Sequence, residues 1–186
     1  NGVKQTMTYT QGSASTQAFY SNITSPNSHW IGSDAFSGAQ QRPFKGLIDD
    51  IRIYNRALSA AEILKIYKEK AGEKIGVAPN NGSIATGLVG YWNFDGKNTT
   101  STYTVDSSGN GNTGTLTTGP VATIGKIGQA LKFDGVDDYV NIPDSASLKP
   151  TTQLTVAGWF YDSSSAGSSQ GYVVKWDFQT QGTWAL

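Results

Sequence analysis

Phe44 to Tyr67, FKGLIDDIRIYNRALSAAEILKIY, decides the fold. From Leu47 the residues alternate: Leu47, Asp49, Ile51 and Ile53 take one side, and Ile48, Asp50, Arg52 and Tyr54 take the other. A period of two marks a half-buried strand. The strand then runs into a helix start. Ser59 is placed as an N-cap, and Glu62, three residues on, reaches back to the Ser59 backbone to make a capping box. Leu58 before the cap and Ile63 at the fourth helical position are placed to pack as a hydrophobic staple. The stretch therefore reads as a sheet strand followed at once by a short capped helix.

Outward from this stretch, the remaining segments are short strands separated by turns. Upstream, Asn1-Gly2 is a type I′ hairpin signature, and Val3 to Tyr9 alternate as a strand. Residues 10–28 form a polar loop and HWIGSD (29–34) a short strand. Downstream, residues 69–87 carry no sustained periodicity, and Pro79-Asn80-Asn81-Gly82 marks them as a linker. GLVGYWNFDG (87–96) is an apolar strand running into a turn, and VDSSGNGNTGTL (105–116) is a Gly/Asn loop leading to a strand. In GKIGQALKFDGVDDYVNIPDSASL (125–148), Leu131 and Phe133 share one side of a first strand. Tyr139 and Asn141 alternate with Val140 and Ile142 in a second, with Gly135 to Asp138 as the turn. LTVAGWFYD (154–162), YVVKWD (172–177) and TWAL (183–186) add further strands.

Composition narrows the class. Fourteen Lys plus Arg balance fourteen Asp plus Glu, so no basic field exists to hold nucleic acid or an anionic membrane. There is no Cys, which removes disulfides and Cys-ligated zinc. No run of about 18 apolar residues is present to span a membrane as a helix. A chain rich in Gly, Ser, Thr and Asn, with one helical stretch, has the profile of a β-sandwich with many turns.

The run GLIDDIRIYNRALSAAEI (46–63) is similar to the closing strand of LamG-like jelly rolls, relatives of the concanavalin A-like lectin and glucanase sandwiches. Residues 88–186 resemble the opening half of the same domain, nearly segment for segment. The resemblance implies an all-β, antiparallel jelly-roll sandwich with one short helix after the closing strand. It also implies an order of closing half, linker, opening half. On that reading residues 1–68 end one LamG-like domain, 69–87 link, and 88–186 begin a second, in a fragment of a longer tandem protein. The alternative is that the two parts dock as one permuted, incomplete sandwich. A linker of this length does not forbid that, since ~19 extended residues span ~60 Å.

Catalytic signals are absent from the sequence. Related glucanases work with paired glutamates on one strand, but the glutamates here are Glu62, Glu69 and Glu73, in the helix or the linker. Asp106, Asp134, Asp137, Asp138 and Asp144 sit in turns, where carboxylates bond local backbone. His29 is the sole histidine and has no nucleophile motif around it. The chain reads as a non-enzyme.

Binding is the stronger expectation. The resemblance implies a carbohydrate or protein ligand held on one sheet or on the rim loops. Of the aromatics, Trp30, Trp92, Trp159, Trp176 and Trp184 mostly read as core, and Tyr161, Tyr172 and Trp176 as a surface platform. The partners implied are a glycan or a surface or matrix protein, with neighbouring copies of the same domain, outside the cell or on its surface. A purely structural spacer or filament-forming repeat is the alternative. Absence of Cys fits a bacterial exported protein, and the Asn-X-Ser/Thr sites at Asn22, Asn81 and Asn98 matter only in a glycosylating host.

One charge is misplaced. By its phase Asp49 points to the core side, where a carboxylate is costly unless paired or bound to a cation. Arg52 is on the opposite phase and offers no partner. Related sandwiches hold a calcium with an Asp at this place in the closing strand, so the resemblance implies a calcium site at Asp49. Asp95, on the first strand of the opening half, is its second acidic ligand, with carbonyls of the Asp106 to Asn112 loop as further candidates. Calcium takes six to eight oxygens and accepts carbonyls readily.

Overall fold

A computed structural model describes residues 28–33, 35–36, 39–40, 42–68, 84–165, 170–175 and 184–185. The expected hairpin at Asn1-Gly2, the strand Val3 to Tyr9, most of the linker, Glu69, Glu73 and Trp176 lie outside them. In chain order the elements are β1 (His29–Ile31), β2 (Ala35–Phe36), β3 (Ala39–Gln40), β4 (Lys45–Tyr54), α1 (Ala60–Lys68), β5 (Leu88–Trp92), β6 (Tyr103–Thr104) and β7 (Gly114–Thr117). They continue with β8 (Val121–Ile124), β9 (Gln129–Asp134), β10 (Tyr139–Ile142), β11 (Thr155–Asp162), β12 (Val173–Lys175) and β13 (Trp184–Ala185).

Two antiparallel sheets face each other. One has six strands in the order β13-β12-β1-β10-β7-β6. The other runs β11-β4-β9-β8, and β5 also pairs with β4. β2 and β3 form a separate small hairpin. Inward residues of both sheets build one core, with Ile31, Leu116, Val140, Ile142 and Val173 from the first and Ile48, Ile51, Ile53, Trp92, Leu131 and Phe133 from the second. Trp92 is fully buried, and its indole N–H donates to the Asn112 carbonyl at 2.8 Å, which satisfies its one polar atom.

The stretch that decided the fold sits at the centre of its sheet. β4 pairs with β11 along one side, from Thr155↔Tyr54 to Asp162↔Gly46. Along its other side, β9 covers Lys45 to Ile48 and β5 covers Ile51 to Tyr54. Asp49 and Asp50 fall in the gap where one partner hands over to the next. There β4 carries a bulge: Asp49 to Arg52 oppose only Trp159 to Ala157, and Asp50 is left-handed at φ 55°.

That extra residue corrects the phase read from the sequence. Ile48, Ile51 and Ile53 form the core side of β4. Asp49 is level with Trp159, one residue from Phe160, which packs on the core, so Asp49 lies on the outer side with its register partner. It is nevertheless only 2% exposed.

The helix begins as its cap chemistry requires. Glu62 Oε2 accepts the Ser59 N–H at 2.9 Å, and the Glu62 N–H donates to Ser59 Oγ at 3.3 Å. Arg56 grips Glu62 with two bonds, at 3.0 and 2.6 Å, and donates through Nε to the Thr86 carbonyl at 2.7 Å. The helix start is thereby tied to the turn that leads into β5. The staple is weak by comparison, because Ile63 stays 42% exposed.

Gly135 to Asp138 is the turn it was expected to be, but not a hairpin. β9 belongs to the five-stranded path and β10 to the six-stranded sheet, so the chain crosses the sandwich there. Inside the six-stranded sheet, His29 on β1 is level with Ile142 and Lys175 and fully buried. Burial first, and Lys175 second, pull its pKa down to about 3.

Candidate functional site

Two features stand out, an acidic gap on one sheet and an aromatic face on the other. The gap forms around the tight β8–β9 turn, in which the Gly125 N–H donates to the Gly128 carbonyl at 3.0 Å. Asp49 Oδ2 accepts the Ile127 N–H of this turn at 2.8 Å, and Asp95 Oδ1 accepts the Gln129 N–H at 2.9 Å. The glycines make room for the acids. A Cβ on Gly125 would lie 2.5 Å from Asp49 Oδ2, and one on Gly128, where φ is +72°, would lie 2.2 Å from Asp95 Oδ1.

Asp50 lies close enough to both acids to feel their charge. Its Oδ1 accepts the Tyr91 hydroxyl at 2.6 Å and Arg52 Nη2 at 3.3 Å. Asp49 Oδ1 and Asp50 Oδ2 are both buried and have no hydrogen-bond partner among the described residues. Burial raises the Asp49 carboxyl to about 7, against the Ile127 bond, with Asp50 adding to the rise. Burial also raises Asp50. The structure thus brings Asp49 and Asp95 to the same turn. That turn, and not the Asp106 to Asn112 loop, supplies the backbone beside them. The Asp106 carboxylate instead accepts the N–H groups of Tyr91, Ser108 and Asn112 and holds its own loop against β5.

The donor set is all oxygen and includes two buried, unsatisfied carboxylate atoms, which fits a hard cation such as calcium. A different acidic group, Asp134, Asp137 and Asp138, has its oxygens within 4.8 Å of one another, a spacing that Asp49, Asp50 and Asp95 do not meet. Its carboxylates serve the crossover turn: Asp138 accepts the Asp134 N–H, and Asp134 accepts the Val136 N–H.

The aromatic face lies on the outside of the six-stranded sheet. Alternation sends Ile31, Val140 and Leu116 inward, and Trp30, Tyr139, Asn141, Thr115 and Thr117 outward. Trp30 and Tyr139 are diagonal neighbours on adjacent strands and stack at 4.2 Å between centroids, 6° from parallel. Tyr103, 44% exposed, faces Thr115 from β6. Threonines on β7 therefore floor a trough walled by Tyr103 on one side and Tyr139 with Asn141 on the other. Two strand spacings make it ~10 Å across between backbones.

The sequence-picked platform falls elsewhere. Tyr161 is 67% exposed, on the outer side of β11. Tyr172 packs its ring against Phe44 and Phe160 and donates its hydroxyl to Asp162 at 3.2 Å. The two rings do not share a face, and Trp176 lies outside the described residues. Trp159 is half-buried beside Tyr67 of the helix, with Lys126 over its ring. Trp30 was visible in the sequence only as a strand residue, and its pairing with Tyr139 needed the β1–β10 register.

Two facing antiparallel sheets with, among the described residues, one short α-helix define a β-sandwich of the concanavalin A-like class. Residues 5–64 match the family model described as the concanavalin A-like lectin/glucanases superfamily, which supports a LamG-like domain over that stretch. No curated protein and no solved structure matches it. That superfamily holds both lectins and glucanases, so the match supports at most a carbohydrate- or protein-binding module. No helix among the described residues is long and apolar enough to cross a membrane.

Proposed function

We propose that this protein is a non-enzymatic glycan-binding module, and that its ligand face is the outer side of the six-stranded sheet. The observation that carries this reading is the Trp30–Tyr139 stack beside a trough of hydroxyl and amide side chains. The apolar C–H face of a sugar gains dispersion energy on an aromatic ring, and Asn141, Thr115 and Thr117 suit its hydroxyls. No outward residue named for this face is ionised at neutral pH, which favours a neutral glycan.

The acidic gap is a structural calcium site on this reading. Asp49 and Asp95, with Asp50 beside them, would hold the ion against the 125–128 turn. Calcium there would supply positive charge that offsets the burial of Asp49 and Asp50. An extracellular or cell-surface location suits both the ligand and a calcium supply, and neighbouring LamG-like copies in a longer chain suit surface adhesion.

The test is binding to a glycan array and to soluble neutral polysaccharides by the purified chain in calcium, with Trp30→Ala and Tyr161→Ala alongside. Loss with Trp30→Ala and retention with Tyr161→Ala support the face. The reverse pattern moves the site to the other sheet. No binding by the wild-type chain leaves the spacer reading in its place.

A further inference from the structure

Residues 28–68 give the two sheets one central strand each. β1 lies between β12 and β10, and β4 lies between β11 and the β5–β9 pair. Every one of those partners comes from residues 84–175. Among the described residues, the only strand pair made inside 28–68 is the two-residue β2–β3 hairpin. Without this segment, β12 is parted from β10 and β11 from β5 and β9. Residues 84–175 are thus a framework with two strand-wide slots.

The core repeats the division. Ile31, Phe44, Ile48, Ile51 and Ile53 enter from the segment and meet side chains such as Leu131 from the framework. Covalently, the two parts are joined through residues 69–83 alone.

We propose that residues 28–68 act as a donor segment able to complete the framework of a second copy of this chain, by reciprocal exchange or head to tail. The ladder bonds and core contacts are the same whether the donor enters its own framework or a neighbour's. Only the linker separates the two cases. It makes the donor's entry intramolecular and so favours the donor of the same chain. Shortening the linker or blocking the chain's own pairing removes that preference, the usual route to exchange of an element between protomers. Strand addition of this kind takes its affinity from main-chain bonds and its register from alternate side chains. In a longer array, the same slots are where the segment of a neighbouring copy would enter. This inference stands apart from the glycan face and survives its failure.

Two full-length variants test it. In the first, Ile51→Asp with Ile53→Asp disables the donor. In the second, Leu131→Asp with Phe133→Asp disables the framework. All four positions are at most 1% exposed, and a buried unpaired carboxylate is strongly unfavourable. Each variant alone loses the cooperative melt. Refolded together with different tags, they should regain a native melting transition, at about half the wild-type amplitude if one sandwich forms per pair, and should co-purify as a pair. A mixture that melts no better than its separate components, with no paired species by light scattering, overturns the proposal. In a second measurement, deleting residues 70–82 from the wild-type chain should convert folded monomer into folded dimers or longer assemblies. A deletion chain that stays a folded monomer at every concentration also overturns it.

Discussion

Asp49 on β4 accepts the backbone N–H of Ile127 at 2.8 Å, seventy-eight residues further along the chain. One carboxylate oxygen is satisfied by a turn, and the other, Oδ1, is buried without a partner among the described residues. The acid half-fits its surroundings as they stand. On the proposed reading, a calcium ion completes them. Calcium should therefore raise the melting temperature of the wild-type chain, and a chelator should lower it. Each 1 kcal/mol corresponds to roughly 2–4 °C in a chain of this size. Differential scanning calorimetry with and without calcium checks this, and an unchanged melt in both would remove the site.

The pH dependence has a definite sign. The Asp49 carboxyl is near 7 folded, against ~3.9 unfolded. Between those values the folded state holds a proton that the unfolded state releases, so this group lowers stability as pH rises from ~4 to ~7. His29 acts the other way. It is near 3 folded and ~6.5 unfolded, so its contribution is lost as pH falls from ~6.5 towards 3. Because the two windows overlap, the two contributions oppose each other in the wild type. The difference between Asp49→Asn and the wild type isolates the carboxyl. In chelator, the variant should gain on the wild type as pH climbs from ~4 to ~7, and parallel curves would refute the raised pKa.

The glycines of the β8–β9 turn are spatial requirements. Gly128→Ala forces a Cβ into Asp95 Oδ1 at a backbone φ of +72°, and side chains rarely adopt that conformation. The loss expected is about 1–3 kcal/mol, read by urea unfolding. Gly109→Ala, also at positive φ but with nothing within 4 Å, is the control that separates backbone strain from the clash.

Ser59→Ala should cost about 1 kcal/mol through the lost cap. Leu58→Ala should cost less than a fully buried leucine, because Ile63 opposite it is largely open. Arg56, and then Ser59, hold the Glu62 carboxyl down to about 2. Its contribution is present above ~4.3 and disappears as pH falls through about 2, and solvent screening at this site keeps it small. Thermal melts of Ser59→Ala and Glu62→Gln at pH 7 and pH 2.5 check both statements. Equal melts for Ser59→Ala and the wild type would mean that the helix does not depend on its cap.

Local signals were legible in the sequence, and relationships between distant segments were not. The capping box needed only Ser59 and Glu62 at their spacing. The alternation of Tyr139 to Ile142 appears in the sheet as it was read. The crossover at Gly135 to Asp138 was hidden, because a turn sequence is the same whether its strands pair or part to opposite sheets. Asp49 and Asp95 came together through resemblance to a family, but the turn between them did not, since nothing in Gly125-Lys126-Ile127-Gly128 advertises two carboxylates from elsewhere. The Trp30–Tyr139 stack depends on a register between strands more than a hundred residues apart. Tyr161 was chosen for exposure and is exposed. Tyr172 was chosen on the same grounds, yet its ring covers Phe44 and Phe160.

The bulge at Asp50 has an evolutionary reading. Remove that one residue on paper, and β4 becomes an unbroken alternation in which Ile48, Ile51 and Ile53 still face the core and Asp49, Arg52 and Tyr54 still face out. The acid is therefore an insertion in the strand and not a replacement of anything the core uses. A lineage could gain or shed this carboxylate by a single codon's insertion or deletion without redesigning the sandwich. The Asp50 carboxylate and the core of the sandwich can thus be inherited separately.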